Sequence, residues 1–196
     1  MVKKQHLINV QPLRSEDEIK EMVIAIRRGA KGTPKKRWLS ERDVMLFLFG
    51  INTGLRVSDI VGIRVADVRD KSSFTIQEGK TAKKRTVTIE SIRREIDNYI
   101  DGKPDHAYLF PSQKGSSHVS STQVYRLLKS AGDWIGRQDI GTHTMRKTFG
   151  YHFYKQTKDV AMLQSIFNHS APSITKRYIG ITDEEIEESL KGFRLG

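Results

Sequence analysis

The chain has 196 residues, 37% hydrophobic and 29% charged, enough for one substantial domain or a domain with an attached arm, and it has no apolar run long enough to span a bilayer. Cysteine is absent, which excludes disulfide scaffolds, thiolate metal sites and thiol nucleophiles. A formal net charge of +11, from 34 Lys and Arg against 23 Asp and Glu, attracts polyanions, nucleic acid first among them, without saying what is done to them.

The basic start, Met1 to Gln11, has no apolar stretch behind it, so a secretory signal is not expected and a cytoplasmic setting is. Residues 15–29 predict a helix. Ser15 caps it, Glu16, Asp17 and Glu18 suit its positive end, Ile19, Met22, Val23 and Ile26 share a face, and Gly29 stops it. A basic loop follows to Lys36. Positive charge gathers at Arg27, Arg28, Lys31, Lys35, Lys36 and Arg37, and again at Lys80, Lys83, Lys84 and Arg85. Ser40 opens an apolar helix through Val44 to Phe49, broken at Asn52-Thr53-Gly54, with a short helix from Val57 to Ile63.

Residues 74–77 and 86–89 are β-like runs around a Lys- and Gly-bearing turn, which predicts a hairpin. Helix resumes after Ser91 and ends near Gly102-Lys103-Pro104. Further helices are expected at 120–134, 143–156 and 159–167, and a last one from about 183, where Thr182 and Glu185 have capping-box spacing. The expected fold is mainly α with a small antiparallel β-sheet (α+β). There is no internal repeat.

Six separated residues carry a chemistry when taken together: Arg56, Lys80, His143, Arg146, His169 and Tyr178. Cleaving a phosphodiester without a metal requires positive charge on the non-bridging oxygens. Guanidiniums supply it through two-point contacts and stay ionised. It also requires a nucleophile, which a phenol can be, and an acid for the departing 5′ oxygen, which a lysine on a hairpin can be. Imidazoles can bind the phosphate or take the proton of a phenol whose ordinary pKa is about 10. Taken singly, each residue also reads as ordinary: a surface arginine, a solvated turn lysine, packed histidines, a half-buried tyrosine. Lys83 or Lys84 could stand in for Lys80.

Gly54-Leu55-Arg56-Val57-Ser58-Asp59-Ile60 resembles the Gly-Leu-Arg-x-Ser-Glu-Leu segment of tyrosine recombinases, the phage integrase family. Gly79-Lys80 falls where that family has its hairpin lysine. His143-Thr144-Met145-Arg146-Lys147-Thr148 is similar to its His-x-Leu-Arg-His-Thr box. Asn168-His169-Ser170 is similar to Gly-His-Ser, and Tyr178 stands nine residues after His169. The order and spacing, rather than any one motif, carry the resemblance, which runs from Leu39 to Ile181. It implies a catalytic domain at 39–181 that cuts and rejoins double-stranded DNA through a 3′-phosphotyrosine, as a strand transferase of a mobile element. Arg56 and Arg146 would clamp the phosphate, Lys80 would be the leaving-group acid, His143 and His169 would be supporting histidines and Tyr178 the nucleophile. No metal and no cofactor are implied, and self-association on DNA into a tetrameric synapse is.

The departures are specific. Lys147 replaces a frequent His, Asp59 a usual Glu expected to hold the Arg56 helix, and Phe167-Asn168 a Leu-Gly, so Asn168 must accept a left-handed backbone. The family usually has a further N-terminal domain that closes a clamp on DNA; residues 1–38 here are expected to be a helix and a basic linker. Residues 182–196 are expected to be a helical tail that docks on a neighbouring protomer or on its own domain. The alternatives are a type IB topoisomerase-like enzyme, a non-catalytic DNA-binding relative and a basic RNA-binding protein.

Overall fold

Between Val44 and Phe49 helix α2 (Pro34–Thr53) has almost no solvent face, so the rest of the domain is built around it. Phe47 and Phe49 are fully buried, each contributing about 1.5–3 kcal/mol of apolar burial. Phe49 meets Phe110 edge-on and lies close to Phe74 of the hairpin. The computed structural model describes residues 10–28, 34–77, 79, 83–114, 116–181 and 190–194. The expected helix stop at Gly29, the hairpin lysine Lys80 and the expected helix from 183 lie outside them.

Helix α1 (Glu16–Arg28) is capped by Ser15 as expected, and the contact is reciprocal: Ser15 Oγ accepts from Glu18 N, and Glu18 Oε2 accepts from Ser15 N. Its Met22, Ala25 and Ile26 pack into the same core as α2. Helix α2 starts at Pro34 rather than at Ser40, because proline suits a first turn whose N–H groups have no intrahelical partner. Two single-turn helices follow, α3 (Val57–Ile60) and α4 (Val65–Val68). The second was not expected, being too short to show a period.

Strands β1 (Ser73–Gln77) and β2 (Lys84–Thr88) pair antiparallel, with Phe74 opposite Val87 on the buried face. A 3-10 turn leads into α5 (Arg93–Ile100), and α6 (Ser121–Trp134) begins with a Ser120–Gln123 capping box. Helix α7 (Thr142–Thr157) lies against α2. The described residues thus form a mainly helical fold with a two-stranded antiparallel sheet, as the sequence implies. No helix among them is long and apolar enough to cross a membrane.

A second, smaller core sits on the far side of α7. Leu163 and Phe167 of α8 (Val160–Phe167) and Ile179 of α9 (Pro172–Ile179) are fully buried there, with Phe149, Phe153 and Tyr178 packed around them. Helix α9 was not expected from the sequence. It carries few apolar residues, Ile174, Tyr178 and Ile179, yet its ends are marked: Pro172 opens it and Gly180 closes it in the left-handed conformation.

Candidate active site

The site begins where α2 ends. Thr53 Oγ1 donates back to the Phe49 carbonyl, and Gly54 turns the chain with φ +62°. A Cβ at Gly54 would also lie 2.5 Å from the Phe149 ring, so glycine is required twice over. That turn delivers Arg56 to the start of α3. Its guanidinium lies 3.9 Å from Asp59 Oδ2, and the Asp59 side chain is 3% exposed. The other Asp59 oxygen accepts from the backbone N–H of Gly79, at 3.1 Å, in the hairpin turn. Asp59 therefore ties two elements together, the Arg56 helix as expected and the hairpin turn as well.

Arg146 enters from α7 and is 3% exposed. It donates to the Gly54 carbonyl at 2.6 Å and to the Phe167 carbonyl at 2.9 Å, with its guanidinium 4.2 Å from the Phe167 ring centre. One side chain thus joins the Arg56 turn to the end of α8. Arg56 and Arg146 line a single cleft of about 210 Å³ with Val57, Ser58, Ser121, Thr142 and His143. Ser121 is the first residue of α6, and Thr142 and His143 are the first two of α7. Two helix N-termini therefore add partial positive charge to the pair of guanidiniums.

Tyr178 is brought in by α9. Its hydroxyl is 3.0 Å from His143 Nδ1; with that nitrogen unprotonated the phenol donates, and the imidazole is placed to take its proton. The ring meets those of His169 at 5.1 Å and Phe167 at 5.6 Å, both edge-on. Burial pushes the Tyr178 phenol above its ordinary range, opposed by the charges of Arg146 and Arg56 and by a hydrogen bond from Arg146. The phenol is therefore protonated at neutral pH and needs a base to ionise. Lys147 is 7% exposed, with its ammonium 5.2 Å from the Tyr178 ring centre and its pKa lowered by burial.

His169 is steered by two contacts that no sequence pattern announced. Its Nδ1 lies 3.0 Å from Thr175 Oγ1, and Gln164 Nε2 donates to its carbonyl. Asn168 does adopt the left-handed backbone, with φ 52°. Its Oδ1 accepts from Lys83 Nζ at 2.8 Å. The described residues on either side of Lys80 thus touch both flanks of the site, Gly79 at Asp59 and Lys83 at Asn168. Five of the six expected residues, Arg56, His143, Arg146, His169 and Tyr178, come together. Among the described residues no three His, Asp or Glu side chains are grouped as metal ligands would be.

The His169 imidazole is held below its ordinary range, first by burial and then by the charges of Arg146 and Arg56. The folded protein therefore binds that proton more weakly than the unfolded chain does. Its contribution to stability is complete above the free imidazole value of about 6.5 and is lost as pH falls through the lower folded value. The expected result is a melting temperature that falls from about pH 7.5 to about pH 5 more steeply in the natural protein than in His169→Asn. Parallel curves for the two proteins would contradict it.

Residues 15–185 match the phage integrase family. The chain belongs to that family. Among its curated relatives, the Bacillus subtilis (strain 168) protein named probable integrase/recombinase YoeC is 45% identical over 188 residues, which cover 94% of this chain and 97% of the relative. Tyrosine recombinase XerA of Pyrococcus furiosus is 29% identical over 186 residues, covering 92% of this chain but 61% of the relative. The fold is shared with the XerH site-specific recombinase, solved with palindromic difH substrate in a post-cleavage complex. The TM-score is 0.72 at 19% identity, over 92% of this chain and 52% of that one. This phage integrase chain thus spans nearly all of YoeC, but about three fifths of XerA and half of XerH.

Proposed function

We propose that the chain is the catalytic domain of a site-specific recombinase that cleaves and rejoins double-stranded DNA through a 3′-phosphotyrosine at Tyr178. The observation that carries this reading is the Tyr178 hydroxyl, 3.0 Å from His143 Nδ1, in a cluster with Arg56, Arg146 and His169. Family membership supports it, as do the DNA-bound relatives of the same fold.

In the cleavage step His143 takes the phenolic proton and the Tyr178 oxygen attacks phosphorus. The bond from phosphorus to the 5′ oxygen breaks, and Lys80 gives that oxygen a proton. The strand is left with a free 5′-hydroxyl and a phosphotyrosine that conserves the energy for rejoining. Arg56 and Arg146 neutralise the charge that grows on the non-bridging oxygens, aided by the N-termini of α6 and α7. His169 stays neutral beside them and offers the phosphate a hydrogen bond. With two guanidiniums holding the oxyanion, the reaction runs in EDTA. A hydroxyl of a second strand reverses the step, and self-association on DNA supplies that strand. A chain ending at Ile181 sediments as a smaller species on DNA if residues 182–196 make that contact.

The test is a pool of nicked suicide duplexes of randomised sequence, in which the short released strand diffuses away and traps the intermediate. An SDS-resistant protein–DNA band in EDTA is expected, and its absence across the pool contradicts the reading. Relaxation of a supercoiled plasmid without a second site would favour a topoisomerase-like enzyme. Binding falls steeply with salt, because many cations displace counterions from phosphates, with a slope of roughly −0.9 per phosphate neutralised.

A further inference from the structure

Helix α9 is eight residues long, and its fully buried apolar residue, Ile179, belongs to the small second core. Helices this short have little stability of their own, so something else must fix where Tyr178 stands. The described N-terminal segment, residues 10–14, runs against α7 and reaches the end of α9. Leu13 is fully buried, its N–H donates to Thr148 Oγ1 at 2.9 Å, and its carbonyl accepts from His152 Nε2 at 3.0 Å. The Gln11 N–H donates to the Asp139 carbonyl at 3.0 Å. The segment is thus fastened to the scaffold at several points before it reaches the helix.

Its last residue makes the grip. Arg14 stacks on the Tyr151 ring, 5.1 Å from the ring centre, and its Nη2 donates to the Gly180 carbonyl at 2.8 Å. Gly180 closes α9 two residues after Tyr178, with φ +76°. A cation there meets the negative end of the helix and hydrogen-bonds the carbonyl of its closing residue. The fit is close, since a Cβ at Gly180 would lie 3.1 Å from Arg14 Nη2 and 3.3 Å from Gln11 Oε1.

We propose that Arg14 is a positioning residue for the reaction: the strap of residues 10–14 holds the C-terminal end of α9 and so sets the register of Tyr178 against His143. The proposal rests on the reading of Tyr178 as the nucleophile. It makes cleavage sensitive to whatever loosens the strap, although the strap lies on the opposite end of α9 from Pro172 and outside the residues that line the phosphate cleft.

The test compares the natural protein with Arg14→Ala, Arg14→Lys and Gly180→Ala. Two readouts are taken: single-turnover adduct formation on the suicide-duplex pool, at saturating and at limiting DNA, and amide hydrogen exchange of the free proteins. Arg14→Ala is expected to slow adduct formation about tenfold at saturating DNA, the effect of one lost charge-assisted hydrogen bond, with the DNA dependence unchanged. Arg14→Lys, which still donates to the carbonyl, restores most of the rate. Gly180→Ala, which keeps Arg14 but displaces it, behaves like Arg14→Ala. Exchange accelerates in residues 172–181 and not in α2. Adduct formation by Arg14→Ala at or above the natural rate overturns the proposal, as does acceleration of exchange in α2 equal to that in α9. If the natural protein itself forms no adduct on Tyr178, the reading of the nucleophile fails instead, while the exchange data still report on the strap.

Discussion

Tyr178→Phe is expected to lose the covalent adduct altogether, a fall of roughly 10⁴-fold or more of the kind that follows loss of an essential nucleophile. One oxygen is removed and little else. The ring keeps its edge-on contacts with His169 and Phe167 and its place beneath the Lys147 ammonium. The hydroxyl's hydrogen bonds with His143 and Arg146 are lost, so stability falls by about 1–3 kcal/mol. DNA affinity should stay close to natural, because binding draws on many phosphate contacts. A variant that still forms the SDS-resistant band would show that another residue attacks the phosphate.

Arg146→Ala is the second large effect, and it has two parts. Arg146 holds the carbonyls of Gly54 and Phe167 while lining the cleft. Its removal therefore leaves two buried acceptors unsatisfied, and stability falls by about 2–4 kcal/mol. Cleavage falls about 10²–10³-fold, as on removal of an oxyanion-stabilising donor, and far more than binding does. Arg146→Lys separates the parts. It restores a charge in the cleft but not the fork that reaches both carbonyls, so binding returns further than cleavage. Equal losses of binding and cleavage in Arg146→Ala would make this arginine a docking residue.

The site was legible in the sequence to an uneven degree. Arg56, His143, Arg146, His169 and Tyr178 were picked out by their order and spacing, which resemble those of the family's motifs, and the fold brings these five together. What holds them was not legible. Thr175, which steers His169, is an ordinary helical threonine. Lys147 stands where a histidine is frequent, and its burial against the Tyr178 ring depends on how α7 meets α9. The Arg14 contact joins residues 166 apart in the chain, and local periodicity carries no trace of such a pair.

The fold divides in the same way. The amphipathic segment at 15–29 with Ser15 as its cap announced α1, and the segment at 120–134 announced α6, whereas the Ser120–Gln123 box emerged only with the structure. Helix α9 was passed over because it carries few apolar side chains, Ile174, Tyr178 and Ile179, where the equally short α8 carries a dense run, and its stability comes from the second core and the strap. Asn168 was the reverse case. A residue out of step with the family motif correctly implied a left-handed turn, and that turn places its amide oxygen against Lys83.

The most direct measurement is to digest the trapped protein–DNA adduct and identify by mass spectrometry the residue that carries the phosphate. Attachment at Tyr178, with a free 5′-hydroxyl on the released strand, is the expected result. Attachment at any other residue, or a 5′-phosphate on the released strand, contradicts the proposed chemistry.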